Sequence, residues 1–174
     1  MIHACWDQSA INLAHETELF TVENTINLSK LTEAATEGTV EFEIIERLLK
    51  GPELKGILPF LDKDGHPRHE IRTRWWGEIS DESTYKDLAF WYDSKMVDIP
   101  DKYVGDVKSL PKYHLNLPPV FFGHYWLNHE LKIQQSNVCC LDYSAGTTGP
   151  LVAYRFDSEK STNALSKDTF YCSR

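Results

Sequence analysis

Pro119-Val120-Phe121-Phe122-Gly123-His124 is the stretch on which the fold turns. An apolar run bounded by proline and glycine reads as a short buried strand. His124, directly after the glycine, then stands at the strand's carboxyl end. The opening Met1-Ile2-His3-Ala4-Cys5-Trp6-Asp7 has the same form: an apolar stub that reads as the end of a strand, then a histidine. In layered α/β folds, sites are built at the carboxyl ends of strands. Neutral imidazole is a common ligand of divalent metals. Gly123 is expected to turn the backbone sharply and leave room beside the histidine. His3 and His124 are therefore candidate metal ligands; on residue type alone the same context also suits turn or core histidines.

Outward from this stretch, the last third reads as β. Residues 130–133, 137–143 and 151–157 are candidate strands, and the loop 144–150 joins the latter two as a hairpin. Residues 168–172 add an edge strand. The first half reads as helical. Asp7 or Ser9 caps a short helix reaching about Leu13. Residues 30–37 form a helical segment that Gly38 interrupts. Residues 40–50 carry the strongest helix, with apolar positions 40, 44, 45, 48 and 49 on one face. Thr39 is its expected N-cap and Gly51-Pro52 its stop. Asp62-Lys63-Asp64-Gly65 is a turn signal; its spacing is like a calcium loop, but the downstream glutamate pattern is missing. Residues 83–91 read as a helix, and 93–118 as a proline-punctuated connection.

Composition narrows the function. The 174 residues carry 18 Lys and Arg against 26 Asp and Glu, a formal charge of −8. A chain this acidic lacks the basic face of a general phosphate-backbone binder. An apolar fraction of 41% argues against disorder. No apolar run approaches the roughly 18 residues of a membrane span, and no secretory signal opens the sequence. The cysteines, Cys5, Cys139, Cys140 and Cys172, form no C-x-x-C pair. Cys139 and Cys140 read as small buried hydrophobes, and a reducing, cytoplasmic setting accounts for the set.

Two stretches extend the motif around His124. They are Cys140-Leu141-Asp142-Tyr143-Ser144-Ala145-Gly146 and Gly149-Pro150-Leu151-Val152-Ala153-Tyr154-Arg155. Together with Phe121-Phe122-Gly123-His124-Tyr125-Trp126 they resemble the end of calcineurin-like metallophosphoesterases. The nearest branch is the one akin to serine/threonine phosphatases and diadenosine tetraphosphatases. Ile2-His3-Ala4 resembles that family's preceding histidine motif. The resemblance implies an α+β chain, the C-terminal half of a four-layer α-β-β-α sandwich. Residues 1–174 would form a single partial domain, with a mostly helical insert over 8–118 and C-terminal strands over 119–174. It implies two divalent metal ions in the complete enzyme, without distinguishing Mn, Fe, Zn or Mg. His3 and His124 would bind one of them, and the reaction would be phosphoester hydrolysis by an in-line water. The family's upstream Gly-Asp-x-x-Asp-Arg and Gly-Asn-His motifs do not occur here. The expectation is a chain inactive alone, whose partners are a phosphoester substrate and either an N-terminal half or a second copy of itself. Self-association would follow if Val120, Phe121 and Val138 were left exposed.

Arg72 and Arg74 flank a threonine, so a strand would point them the same way. A guanidinium fork matches phosphate oxygens, and the resemblance implies a substrate-phosphate role for an arginine of this insert. Arg74 is the favoured candidate and Arg72 the second. Trp75-Trp76 beside them could stack on a base or aryl group, while Trp6 and Asp7 would stand near the metals, Asp7 chiefly as a helix cap. The competing function is a non-catalytic α+β interaction module that binds a partner through exposed Trp75, Trp76, Trp91 and Trp126.

Overall fold

A computed structural model of the chain describes residues 1–23, 25–55, 60–61, 66–90, 104, 107–127, 130–157 and 164–173. Helix α1 (Gln8–Glu16) begins where the Asp7 carboxylate accepts the Ser9 and Ala10 N–H groups at 2.9 and 3.2 Å. It runs almost a turn beyond the expected Leu13. A 3-10 turn at Leu28–Lys30 leads into the short α2 (Leu31–Ala34). Helix α3 (Val40–Lys50) has the expected bounds: Thr39 Oγ1 accepts the Phe42 N–H, and Gly51 ends it at φ +88°. Its Ile44 and Leu48 pack on Ala10 and Ala14 of α1, whose small side chains admit a close approach. Burying one such aliphatic side chain contributes roughly 1.5–3 kcal/mol.

The span expected as a mostly helical insert divides at Gly51. Four two-residue strands follow: β1 (Glu53–Leu54), β2 (Phe60–Leu61), β3 (Pro67–Arg68) and β4 (Ile71–Arg72). They pair antiparallel, β1 with β4 and β2 with β3. Helix α4 (Tyr85–Leu88) is shorter than the expected 83–91. Thr84 and Asp87 close it with a reciprocal capping box. The expected turn at Asp62–Gly65 and half of the 93–118 connection lie outside the described residues, as do Trp91 and His129.

Strand β5 (Val120–Phe122) pairs with β6 (Val138–Cys140) in parallel, Val120 opposite Val138 and Phe122 opposite Cys140. Strand β7 (Val152–Tyr154) pairs antiparallel with β8 (Phe170–Cys172). The sequence suggests a hairpin joining β6 to β7; instead each takes a different partner. Residues 130–133 form no strand. These two departures share a cause, since apolar runs set strand propensity and leave pairing to distant contacts.

The fold is thus mixed α+β, with helices and small two-stranded sheets. The core beneath β5 gathers Ala4, Cys5, Trp75, Trp76, Phe122, Tyr125, Val138 and Cys140. Trp75 is fully buried; its indole N–H donates to Ala4 O at 3.0 Å and its ring meets Phe122 edge-on at 5.1 Å. Val120 and Val138 are buried too, and Phe121 packs on Tyr154 and Phe156. That corrects the expectation of apolar surface at Val120 and Val138, which the core around Trp75 and Phe122 covers, while Phe121 stays half-buried. No helix among the described residues is long and apolar enough to cross a membrane.

Candidate functional site

Alternate backbone groups of a strand face opposite edges, and β5 uses both. On one edge it meets β6. On the other, Ile2 N–H donates to Phe121 O at 3.0 Å, and Gly123 N–H donates to His3 O at 2.8 Å. The opening segment therefore runs beside β5 in the same direction. This brings His3 and His124 side by side, ring centroids 5.1 Å apart and tilted by 44°. His3 is exposed and His124 half-buried, so the pair opens to solvent.

The turn after β5 is built differently from the sequence expectation. Gly123 does not adopt the left-handed conformation; His124 does, at φ +66°, and Trp126 repeats it at φ +45°. Side chains other than Gly and Asn rarely occupy this region, at a cost of order 1–3 kcal/mol each. The buried Tyr125 between them holds the turn. Its hydroxyl donates to Thr73 O at 2.9 Å, and its ring packs against Trp76, Phe90 and Phe122. Gly51 has a steric role here: a Cβ on it would lie 2.5 Å from the Tyr125 hydroxyl.

The guanidinium of Arg72 completes the His124 neighbourhood. It donates from one terminal nitrogen to His124 O at 3.1 Å and lies 5.2 Å from the Tyr125 ring centre. Its Nε is buried without a hydrogen-bond partner among the described residues. Arg72, rather than the favoured Arg74, thus touches the histidine pair. Arg74 is exposed and donates to Asp87 O, at the rim of a neighbouring cleft. Asp142, which the sequence reading quoted but gave no role, accepts the Ser144 N–H at 3.1 Å and the Trp126 N–H at 3.4 Å. Its partners lie on two loops, so no local pattern pointed to it.

These neighbours tune the imidazole. Burial first, then the Arg72 guanidinium and the neighbouring His3, hold His124 below its ordinary pKa, while Asp142 pulls the other way. A neutral ring with a free lone pair is the form that binds a metal. Among the described residues, no group of three His, Cys, Asp or Glu side chains is placed to hold a metal ion. The imidazole pair by itself does not make a metal centre. His66 and His69 flank β3, apart from the pair by sequence and sheet.

Asp7 is accounted for by structure: it caps α1 and pairs with Arg47 at 3.5 Å. Trp6 packs edge-on against Tyr113. Trp75 and Trp76 are buried, which removes them from an aromatic binding surface and leaves Trp126, half exposed, as the described tryptophan that faces outward. All four cysteines are unpaired, three of them buried. Burial pushes the Cys139 and Cys140 thiols up to about 12, which makes them inert packing groups. Comparison of the chain with family models, curated proteins and solved structures found no match, so the arrangement of His3, His124, Arg72 and Asp142 is what a function has to be argued from.

Proposed function

We propose that this chain contributes two imidazole ligands, His3 and His124, to one divalent ion of a phosphoester-hydrolysing centre. The remaining ligands and the second ion would be held by a separate upstream half. In this reading residues 1–3, β5 and β6 belong to one sheet of a four-layer α-β-β-α sandwich, in a reducing cytoplasmic setting. The observation that carries it is the 5.1 Å spacing of two imidazoles held at neighbouring strand ends. The depressed pKa of His124 supports it, because the ring stays neutral at pH 7.

A bound ion would polarise a phosphoryl oxygen and lower the pKa of a coordinated water. The chain's own residues do the rest of what can be assigned. Arg72 places a cation beside His124, held there by its bond to His124 O, and so adds a positive potential that favours a phosphate. Asp142 braces the turn that aims His124 by accepting the Trp126 N–H. The buried Tyr125 and Trp75 fix that turn on the core.

The test is metal binding followed by turnover. The chain alone should bind Co²⁺ or Mn²⁺ weakly, in a way that His3→Ala and His124→Asn each abolish. It should hydrolyse an aryl phosphate weakly or not at all, and an upstream half carrying the missing motifs should restore turnover. Metal binding that survives both substitutions, or robust turnover by the chain alone that does, would refute the reading.

A further inference from the structure

A cleft of about 630 Å³ opens at Trp126, whose ring lies 6.4 Å from that of His124. Arg74, Lys86 and Lys132 stand around it, and Trp76, Phe90 and Trp126 form its apolar wall. In a chain of net charge −8, three cations on one cleft are a local reversal of sign. A single carboxylate, Glu130, shares the rim, 3.9 Å from Lys132. The wall is firm: Trp76 is 8% exposed and packs on Phe90 and Tyr125 at 5.9 and 5.1 Å. Trp126 is 50% exposed and held over the cleft by its left-handed backbone. An exposed indole kept in a costly conformation is a feature that folding alone does not reward. The volume lies within the roughly 300–1,000 Å³ of small-molecule sites.

We infer that this cleft binds a phosphorylated planar ring, the ring stacking on Trp126 and the phosphate reaching Arg74, Lys86 and Lys132. Indole faces accept a nucleobase or aryl ring at sequence-tolerant cost. Arg74 supplies a planar fork, while its bond to Asp87 O limits the freedom lost on binding. Apolar wall and cationic rim together select against either half-ligand, because a bare ring leaves the cations unpaired and bare phosphate leaves the wall wet. The shared chemistry has two sources, a nucleoside monophosphate and a phosphotyrosine side chain. This inference goes beyond the metal-centre reading and needs no metal.

The experiment titrates the chain, with EDTA present, using AMP, O-phosphotyrosine, adenosine, tyrosine and inorganic phosphate. Calorimetry and tryptophan fluorescence report binding. At least one of the two phosphorylated rings should bind tenfold or more tightly than its bare ring and than phosphate, and which one does names the source. Arg74→Gln should weaken that binding about ten- to hundredfold, the range lost with one charge-assisted hydrogen bond. Trp126→Leu should remove the fluorescence change. The surface double variant Lys86→Gln with Lys132→Gln, which disturbs no core, should weaken binding and flatten its salt dependence. Lys112→Gln, outside the cleft, should change nothing. Neither phosphorylated ring binding better than its parts would overturn the inference, as would unchanged affinity in folded Arg74→Gln and in the double lysine variant.

Discussion

The α1–α3 pair and the turn at 123–127 sit on either side of the opening segment and are built on opposite plans. In the helix pair every local signal agrees with the outcome: Asp7 and Thr39 cap, Gly51 stops, and Ile44 and Leu48 face Ala10 and Ala14. In the turn, local preference is overruled. His124 and Trp126 occupy a backbone region better suited to glycine, while Gly123 beside them does not. Contacts from distant residues enforce this, chiefly Thr73, Arg72 and Asp142. The contrast teaches where to look first for function, because local rules are broken more often where a site is built than in the scaffold around it.

The sharpest way to break the contrast is to remove the shared support. Trp75→Ala should cost about 3–5 kcal/mol, as for other buried aromatic truncations. The Trp75 indole also joins Ala4 to the β5 core, so both regions should be lost in one urea transition. Two separate transitions would show the regions to be independent.

A smaller effect compares two glycines with nearly the same backbone. Gly38 and Gly51 have φ of +89° and +88°. A Cβ on Gly38 meets nothing within 4 Å, whereas one on Gly51 strikes the Tyr125 hydroxyl. Gly38→Ala should cost about 1 kcal/mol of backbone strain. Gly51→Ala should cost roughly 1–3 kcal/mol more, because the Tyr125 that holds the strained turn must move. Equal losses in chemical denaturation would mean that Tyr125 yields freely.

The smallest effect concerns pH. The folded-state pKa of His124 is depressed below its ordinary 6.5, so the unfolded chain binds this proton more readily. The contribution is fully present above 6.5 and is lost as pH falls through the folded value. Thermal stability of the metal-free chain should therefore decline on acidification through this window. His124→Asn, chosen because Asn tolerates the left-handed region, should make the decline shallower. An unchanged slope would remove His124 as its source.

How much of this was legible follows the same divide. The bounds of α3, the capping role of Asp7 and the strand at Val120–Phe122 rest on neighbours in sequence, and the sequence shows them. The common setting of His3 and His124 pointed to their meeting, because strands of one sheet end at one side. The parallel partner of β5 was hidden, as apolar runs carry no address. So was the contact of Arg72 with His124, which depends on how β4 is packed under Tyr125. The cleft was hidden most completely. Its cations come from separate loops and one helix, and although Arg74, Trp76 and Trp126 each stand in stretches with a readable signal, nothing local brings them together.

The flanking of β5 by residues 2 and 3 has a consequence for how the molecule comes into being. His3 and His124 are 121 residues apart along the chain. No local segment can preassemble them, and the loop that closes when they meet encloses α1–α4 and β1–β5, about two-thirds of the sequence. The entropy of that closure grows only slowly with length, but contacts of such long range are made late and slow the folding rate. During synthesis His3 emerges 121 residues before His124. The meeting of the two imidazoles is thus a mark of completed folding, made only once the opening segment has found β5.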